Sequence, residues 1–263
     1  MKQYAVIGDP IIHSLSPLLH NEIYNQIGTL ISYKKHQIKE TGLSSFVSNN
    51  HIKFYNVTIP HKESILPYLK SLDTIAKEIG AVNCVMNQKG YNTDWLGFKY
   101  AMIYNNVDIK DKNCLIIGAG GAAKAIAYAL IKSKPKSINV VNRSKDKKRN
   151  LDSWIQSYGI NNKIVSAPDL IINCTPIGMW PKIEFLPFNI KDINEDQIII
   201  DTIYNPIETK WLGLCRKKGA YTIGGLDMFI YQGLASTEIW ENDNILDRIN
   251  FKQIKKVLKS ELC

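Results

Sequence analysis

Short apolar runs recur along this chain, each closed by a turn rich in glycine, proline or asparagine and most followed by a segment with helical spacing. Tyr4 to Gly8 reads Y-A-V-I-G and predicts a first strand. A helix is expected from about Pro17 to Ile27, with Ser16 as N-cap and Pro17 at the first helical position. Ser32 to Gln37 alternates weakly and predicts a second strand, and Gly42 to Ser48 a short helix. Phe54 to Ile59 predicts a third strand that ends on a polar turn with proline. Ser64 to Leu69 and Asp73 to Ile79 read as helical, and Gly80 to Met86 turns into another strand. A turn at Gln88-Lys89-Gly90 then leads to a helix from Trp95 to Asn105.

The second half repeats the alternation with stronger signals. Cys114 to Ile117 is wholly apolar, as a strand buried on both faces should be. Ala122 to Leu130 is made of good helix formers. Ser137 to Val141, Leu170 to Cys174, Gln197 to Asp201 and Ala220 to Ile223 predict further strands, with a helix at Trp211 to Lys218. Gly224-Gly225-Leu226-Asp227-Met228 opens a long helix that runs to about Trp240. The stretch from Phe251 to Leu262 is amphipathic, with Phe251, Ile254, Val257 and Leu258 on one stripe. The pattern predicts an α/β protein of two domains, the second beginning near Asp108.

Composition narrows the class. The 263 residues are 45% hydrophobic and 22% charged, which describes a globular protein in water. No stretch approaches the length of a membrane span, and the first apolar run is too short for a signal peptide, so a cytoplasmic protein is expected. The cysteines, Cys84, Cys114, Cys174, Cys215 and Cys263, are odd in number and none is spaced C-x-x-C, so neither a disulfide framework nor a metal site is expected. Cys114 and Cys174 read as core residues, and Cys263 does not fit a prenylation box. The net charge of +9 would suit nucleic acid, but the lysines are scattered, and no nucleic-acid or membrane partner is expected. A positive surface would still attract phosphorylated cofactors and carboxylates.

The chemistry concentrates at the ends of the predicted strands. After Cys114 to Ile117, Gly118, Gly120 and Ala123 occupy the G-x-G-x-x-G/A positions: a tight turn, a close approach of backbone to pyrophosphate, and close packing of helix on strand. The pyrophosphate would meet unpaired N–H groups at the helix start. The strand at Ser137 to Val141 should end on an acid if the cofactor were NAD. Arg143 stands there instead, with Lys145, Lys147 and Lys148 behind it. A guanidinium suits a 2′-phosphate, so NADP is expected. Ser14 and Ser16 offer hydroxyls beside a helix start as neutral donors for a carboxylate, Ser14 being freer of capping duty. Lys62 and Asp94 both stand just past strand ends of the first domain and can converge. An ammonium there would stabilise an alkoxide formed on reduction and hand it a proton.

In order along the chain stand Gly8-Asp9-Pro10-Ile11, His13-Ser14-Leu15-Ser16-Pro17 and His20-Asn21. Then come Asn56-Val57-Thr58-Ile59-Pro60-His61-Lys62, Gly80-Ala81-Val82-Asn83 and Asn92-Thr93-Asp94. Gly118 to Lys124, Asn142-Arg143-Ser144, Asn173 to Met179, Tyr204-Asn205-Pro206, and Gly225 with Met228 and Gln232 complete the series. It resembles the shikimate dehydrogenase family from one end of the chain to the other. The resemblance implies an N-terminal α/β substrate domain over 1–107, joined by a C-terminal segment, 237–263, that returns to it. A Rossmann-type doubly wound dinucleotide-binding domain would occupy 108–236. It implies reversible reduction of 3-dehydroshikimate to shikimate with NADPH, in aromatic amino acid biosynthesis, by a monomer or a homodimer. Ser14 and Ser16 would bind the substrate carboxylate with help from Tyr204. Thr58, Asn83, Asp94 and Gln232 would hold the ring hydroxyls, and Lys62, paired with Asp94, would be catalytic. Gly118, Ala119, Gly120, Gly121 and Ala122 would hold the pyrophosphate. Asn142, Arg143, Ser144 and Lys147 would take the 2′-phosphate end, and Thr202 and Gly225 would line the nicotinamide. Departures from the family pattern are Cys84, where threonine is common, and Trp95, where glycine is common; the loop at Trp180-Pro181-Lys182 could tune the grip on the cofactor.

Two alternatives stay open at this level: a relative that oxidises quinate with NAD, and a dinucleotide-sensing module that keeps the fold without its chemistry. The missing acid after Val141 argues against the first, and the presence of both Lys62 and Asp94 against the second.

Overall fold

The computed structural model describes residues 2–49, 51–162 and 167–262, so Cys263 lies outside the described residues. The chain forms two compact units, Met1–Gly97 with Ile230–Glu261, and Phe98–Phe229 with Leu262–Cys263.

The first unit is built on a mixed six-stranded sheet. Its leading elements are β1 (Lys2–Gly8), α1 (Ser16–Gln26), β2 (Ile31–Gln37), α2 (Leu43–Asn49) and β3 (Phe54–Val57). They continue through α3 (His61–Ser64), β4 (Ser71–Leu72), α4 (Thr74–Ile79), β5 (Cys84–Met86) and β6 (Lys89–Tyr91) to α5 (Asp94–Tyr104). The strand order is β2-β1-β3-β5-β6-β4. β1 pairs parallel with both β2 and β3, whereas β5 runs antiparallel to β3 and to β6. Alternation along β1 explains its place in the sheet. Tyr4 and Val6 join Tyr24, Tyr33, Cys84 and Trp240 in one apolar cluster. Ala5 and Ile7 join Leu43, Val47, Tyr55 and Val57 in another. A strand covered on both faces needs an apolar residue at nearly every position, and this one has it.

The second unit carries β7 (Asn113–Ile117), α6 (Gly121–Lys132), β8 (Ser137–Val141), α7 (Lys145–Gln156), β9 (Leu170–Asn173), β10 (Ile198–Asp201), α8 (Lys210–Lys217) and β11 (Tyr221–Ile223). Its five strands run parallel in the order β11-β10-β9-β7-β8. The order reverses between β7 and β9, and such a switch point is where doubly wound sheets receive ligands. Ala123, Ala125, Ile126, Ala127 and Leu130 of α6 are buried, while Leu115, Ile171, Ile199, Trp211 and Leu212 form a second apolar cluster. The long helix α9 (Leu226–Glu241) carries the chain back into the first unit, and α10 (Phe251–Lys259) follows it.

Most expected elements are present with ends displaced by one to three residues, and the differences are instructive. Ser16 is the first residue of α1 and does not cap it; Leu15 holds the N-cap position, and the Ser16 amide donates to Ser14 Oγ at 3.2 Å. β3 stops at Val57, and the segment expected as a helix from Ser64 starts at His61 instead, so Lys62 lies on a helical turn. The turn expected at Gln88 to Gly90 sits at Asn87 and Gln88, both at positive φ, and Lys89–Tyr91 is a strand. Two consecutive left-handed residues match the twist of an antiparallel hairpin, and asparagine in the first place favours that conformation. Cys174 is only half-buried because β9 ends at Asn173. Among the described residues, no helix is long and apolar enough to cross a membrane.

Candidate active site

In the first unit the ends of β1 and β3 are tied together: the Thr58 amide donates to Ile7 O at 2.9 Å and the Asp9 amide to Ile59 O at 3.0 Å. A Cβ on Gly8 would stand 2.6 Å from Thr58 Cγ2, so only glycine lets the two strand ends approach this closely. Ser14 and Ser16 follow in the turn after β1, with Ser14 Oγ donating to Ser16 Oγ at 3.1 Å. Freed from capping, Ser16 has its hydroxyl paired with that of Ser14 alone among the described residues.

Lys62 and Asp94 meet directly. Nζ lies 2.6 Å from Asp94 Oδ2, with side chains 15% and 5% exposed. α3 presents the lysine just after β3, and α5 presents the aspartate at its first residue, where a carboxylate is favoured by the helix dipole. The second carboxylate oxygen accepts from Asn83 Nδ2 at 2.9 Å, and the Asp94 amide donates to Asn92 Oδ1 at 3.0 Å. Asn83 Nδ2 also lies 2.9 Å from Thr93 Oγ1 and 3.2 Å from Gln232 Oε1. Thr93, fully buried, donates its amide to Asn83 Oδ1 at 2.6 Å and its hydroxyl to Gln232 O at 3.0 Å, and pairs with Ser236 Oγ at 3.0 Å. Asn56 donates to Asn83 O and to Ser236 Oγ and accepts from Tyr33 OH at 2.7 Å. A buried polar network satisfied in this way is rigid. It leaves a carboxylate with one oxygen held by an amide and the other clamping an ammonium.

Lys62, Asp94, Asn83 and Gln232 are thus brought into one bonded group, and Ser14 with Ser16 into a second. Thr58 stands beside Gly8. Asn56 and Thr93 fall within the matching segments but carry no expected role, and Ser236 lies outside them. Thr93 could have been found as the neighbour of Asp94, and Ser236 as the residue one helical turn beyond Gln232, but a neutral hydroxyl carries no signal until its neighbours are known.

In the second unit Gly118 has φ +113, and a Cβ there would lie 3.1 Å from Thr175 Cγ2, so the turns after β7 and β9 pack closely. Gly120 is the N-cap residue of α6 and gives the helix no side-chain cap. A Cβ on Gly120 would meet nothing within 4 Å. Open space before uncapped helical amides fits a pyrophosphate. After β8, Arg143 and Lys147 are exposed, and among the described residues no carboxylate pairs with either. Ser144 caps α7 through the Lys147 amide at 3.4 Å, and Asn142 Nδ2 donates to Ser144 O at 3.0 Å. The basic turn is therefore preformed, and it fits a 2′-phosphate. Thr202 follows β10, and a Cβ on Gly225 would stand 2.2 Å from Thr202 O, which fixes glycine at that position. Tyr204 stacks on Phe229, with ring centroids 4.2 Å apart at 21°.

A parallel sheet with a glycine turn at its switch point, in a chain that also carries a buried lysine–carboxylate pair, defines a nicotinamide-dinucleotide oxidoreductase. Comparison with known proteins gives the family. Residues 6–85 match the model for the shikimate dehydrogenase substrate binding domain, and residues 101–176 match that for shikimate / quinate 5-dehydrogenase. The chain is 39% identical over 257 residues to the shikimate dehydrogenase (NADP(+)) of Bacillus mycoides, covering 91% of this chain and 93% of that protein. A crystal structure of a shikimate dehydrogenase in complex with NADP+ superposes with TM-score 0.91 at 34% identity, covering 100% and 96% of the two chains. The Thermus thermophilus enzyme in complex with NADP(H) and shikimate gives 0.86 at 26% identity, with 100% of both chains covered. This chain belongs to the shikimate dehydrogenase family.

Proposed function

We propose that this chain is a cytoplasmic enzyme that reduces 3-dehydroshikimate reversibly to shikimate with NADPH. The substrate is assigned to the unit that carries Lys62 and Asp94, and the dinucleotide to the unit that carries Gly118 to Ala122. The observation that carries this reading is the largely buried Lys62–Asp94 pair, 2.6 Å from Nζ to Oδ2. When bound, NADPH supplies the hydride. As the carbonyl carbon accepts it, negative charge grows on the carbonyl oxygen. Lys62 stabilises that charge and gives the oxygen a proton, leaving a neutral amine that regains its proton from solvent. In the oxidative direction the same amine takes the hydroxyl proton. Asp94 aims the ammonium and, through the edge shared with Asn83, offers an acceptor to a ring hydroxyl. Ser14 and Ser16 give the substrate carboxylate neutral donors. On the dinucleotide side, the α6 amides after Gly120 would hold the pyrophosphate. Arg143 and Lys147, with Asn142 and Ser144 shaping the turn, would hold the 2′-phosphate. Thr202 and Gly225 would line the nicotinamide.

The test is absorbance growth of NADPH from NADP+ with shikimate as sole substrate, for the wild type and for Lys62→Ala. The variant should lose about 10²- to 10⁴-fold in kcat, as for removal of a general acid, with NADP+ affinity unchanged. Unchanged turnover would take Lys62 out of the mechanism. Stronger turnover of quinate with NAD+ would replace the substrate and cofactor named here.

A further inference from the structure

Asp201 closes β10 with its side chain fully buried, and among the described residues no cation pairs with it. A carboxylate in that position is costly unless donors surround it. Three do. Asn173 Nδ2 donates to Oδ1 at 3.0 Å, the Ile203 amide to Oδ1 at 3.1 Å, and Thr209 Oγ1 to Oδ2 at 2.8 Å.

Each donor is the base of a different segment. Asn173 ends β9, and its Oδ1 accepts from the Thr175 amide and hydroxyl at 3.0 and 2.7 Å, which shapes the loop that faces Gly118. Ile203 lies between Thr202 and Tyr204, and its carbonyl accepts from the Gly225 amide at 2.9 Å. Thr209 caps α8 by accepting from the Leu212 amide at 3.4 Å. One carboxylate thus pins the loop after β9, the turn after β10 and the start of α8. We propose that ionised Asp201 is a positioning residue, one that holds Thr202, the Ile203–Gly225 contact and the loop after β9 in the arrangement that binds the dinucleotide. The proposal rests on the assignment of the dinucleotide to this unit.

The ionised form is required by the donor count. Oδ1 already accepts from Asn173 and Ile203, and Oδ2 from the Thr209 hydroxyl, so a neutral form sets a donor against a donor. A proton on Oδ2, or the amide of an asparagine, would face that hydroxyl with a donor instead. Burial pushes the Asp201 carboxyl up to about 7, against the pull of its three donors, so the group changes charge near neutrality. The groups packed against it do not. Asn173, Ile203 and Thr209 are neutral, and the Cys215 thiol of α8 is pushed up to about 11 by burial and by Asp201 itself, with Lys218 opposing. Glu208, on the same turn, is exposed and paired with Arg216 at 2.6 Å.

The experiment is direct titration of NADP+ into the full-length apoprotein across the pH range, for wild type and Asp201→Asn, with unfolding temperatures as a folding check. The ratio of the two dissociation constants cancels the titration of the 2′-phosphate. Well above neutrality the variant should bind about 10- to 100-fold more weakly, roughly the worth of one charge-assisted hydrogen bond to the dinucleotide lost when these segments shift. As pH falls through neutrality the ratio should approach one, because wild-type Asp201 becomes protonated. Thr209→Val should weaken binding in the same way, and Thr209→Ser, which keeps the hydroxyl, should restore it. A ratio that is flat with pH, or a variant that binds like wild type, overturns the proposal. If Asp201→Asn does not fold, equal NADP+ affinities for Thr209→Val and Thr209→Ser overturn it. A folded wild type that binds no NADP+ overturns the assignment of the unit, and this proposal with it.

Discussion

Glycines show most clearly how a single residue can serve folding or binding. Gly225 and Gly120 differ in what a methyl would meet. At Gly225 it would run into Thr202 O at 2.2 Å, so Gly225→Ala should shift backbone and destabilise the fold by about 1–3 kcal/mol or more, read from the urea midpoint. At Gly120 there is open space and φ is −96°, which alanine adopts freely. Gly120→Ala should therefore keep or slightly raise apoprotein stability, by about 0.5 kcal/mol, through the unfolded chain. The same methyl stands where a pyrophosphate would approach, so NADP+ binding should weaken by about 1–3 kcal/mol. Equal NADP+ affinity for wild type and variant would remove Gly120 from the cofactor site. The pair Lys62 and Asp94 was legible from strand ends and from the family resemblance, since charged residues beside turns are conspicuous in a string of letters. The roles of Thr93, Ser236 and Asn56 were not. Their contribution is a geometry of neutral hydrogen bonds, and neutrality leaves no mark on composition or periodicity. Serine before proline is a common helix start and predicts Ser16 as the cap; the turn instead places Leu15 there.

At the level of elements, α9 ends on Glu241, a carboxylate at the wrong pole of the helix dipole. Its neighbours compensate: Lys2 Nζ lies 2.6 Å from Oε2, and the hydroxyls of Tyr4 and Tyr24 donate to Oε1 at 2.5 and 2.7 Å. Burial works to raise the Glu241 carboxyl, but the bonds from Lys2, Tyr4 and Tyr24 outweigh it, and the net direction is down. A carboxyl lowered by folding stabilises the protein above its unfolded pKa and loses that contribution as pH falls through the folded value. Glu241→Gln should thus cost about 1–2 kcal/mol at neutral pH, with Lys2 half-exposed and its share discounted. The gap in unfolding temperature between variant and wild type should close as the solution is acidified below the carboxylate range. A gap that stays constant with pH would show that the charge is not what clamps α9 to β1. The start of α7 gives the corresponding prediction for the cofactor. Arg143→Ala should reduce NADP+ affinity by about 1.5–3 kcal/mol, the worth of a charge-assisted bond to phosphate, and leave NAD+ affinity nearly unchanged. Equal losses for both cofactors would place Arg143 away from the 2′-phosphate.

For the molecule as a whole, the net charge of +9 has a kinetic consequence. Exposed cations attract phosphorylated and carboxylate ligands over about a Debye length, ~8 Å at physiological ionic strength. The KM for NADP+ should rise with added salt, and more steeply in wild type than in Arg143→Ala; equal slopes would mean that the general surface charge, not this turn, does the attracting. The architecture itself was largely legible. Alternating apolar runs and helical segments gave α/β, the glycine turn marked the dinucleotide sheet, and the ends of most elements fell within a few residues of those expected. Periodicity reports which faces are buried, and burial on both faces of a strand writes itself as an unbroken apolar run. What the letters could not give was pairing. That β3 and β6 flank an antiparallel β5, and that Asn83 joins Asp94 to Gln232 across 149 positions of chain, follow from long-range packing. The amino-acid order thus determined the elements, the fold class and the residue types at each strand end, because these depend on local spacing and on burial. Tertiary structure alone decided which polar groups satisfy one another, because a hydrogen bond depends on distances of a few ångströms between residues that the sequence keeps far apart.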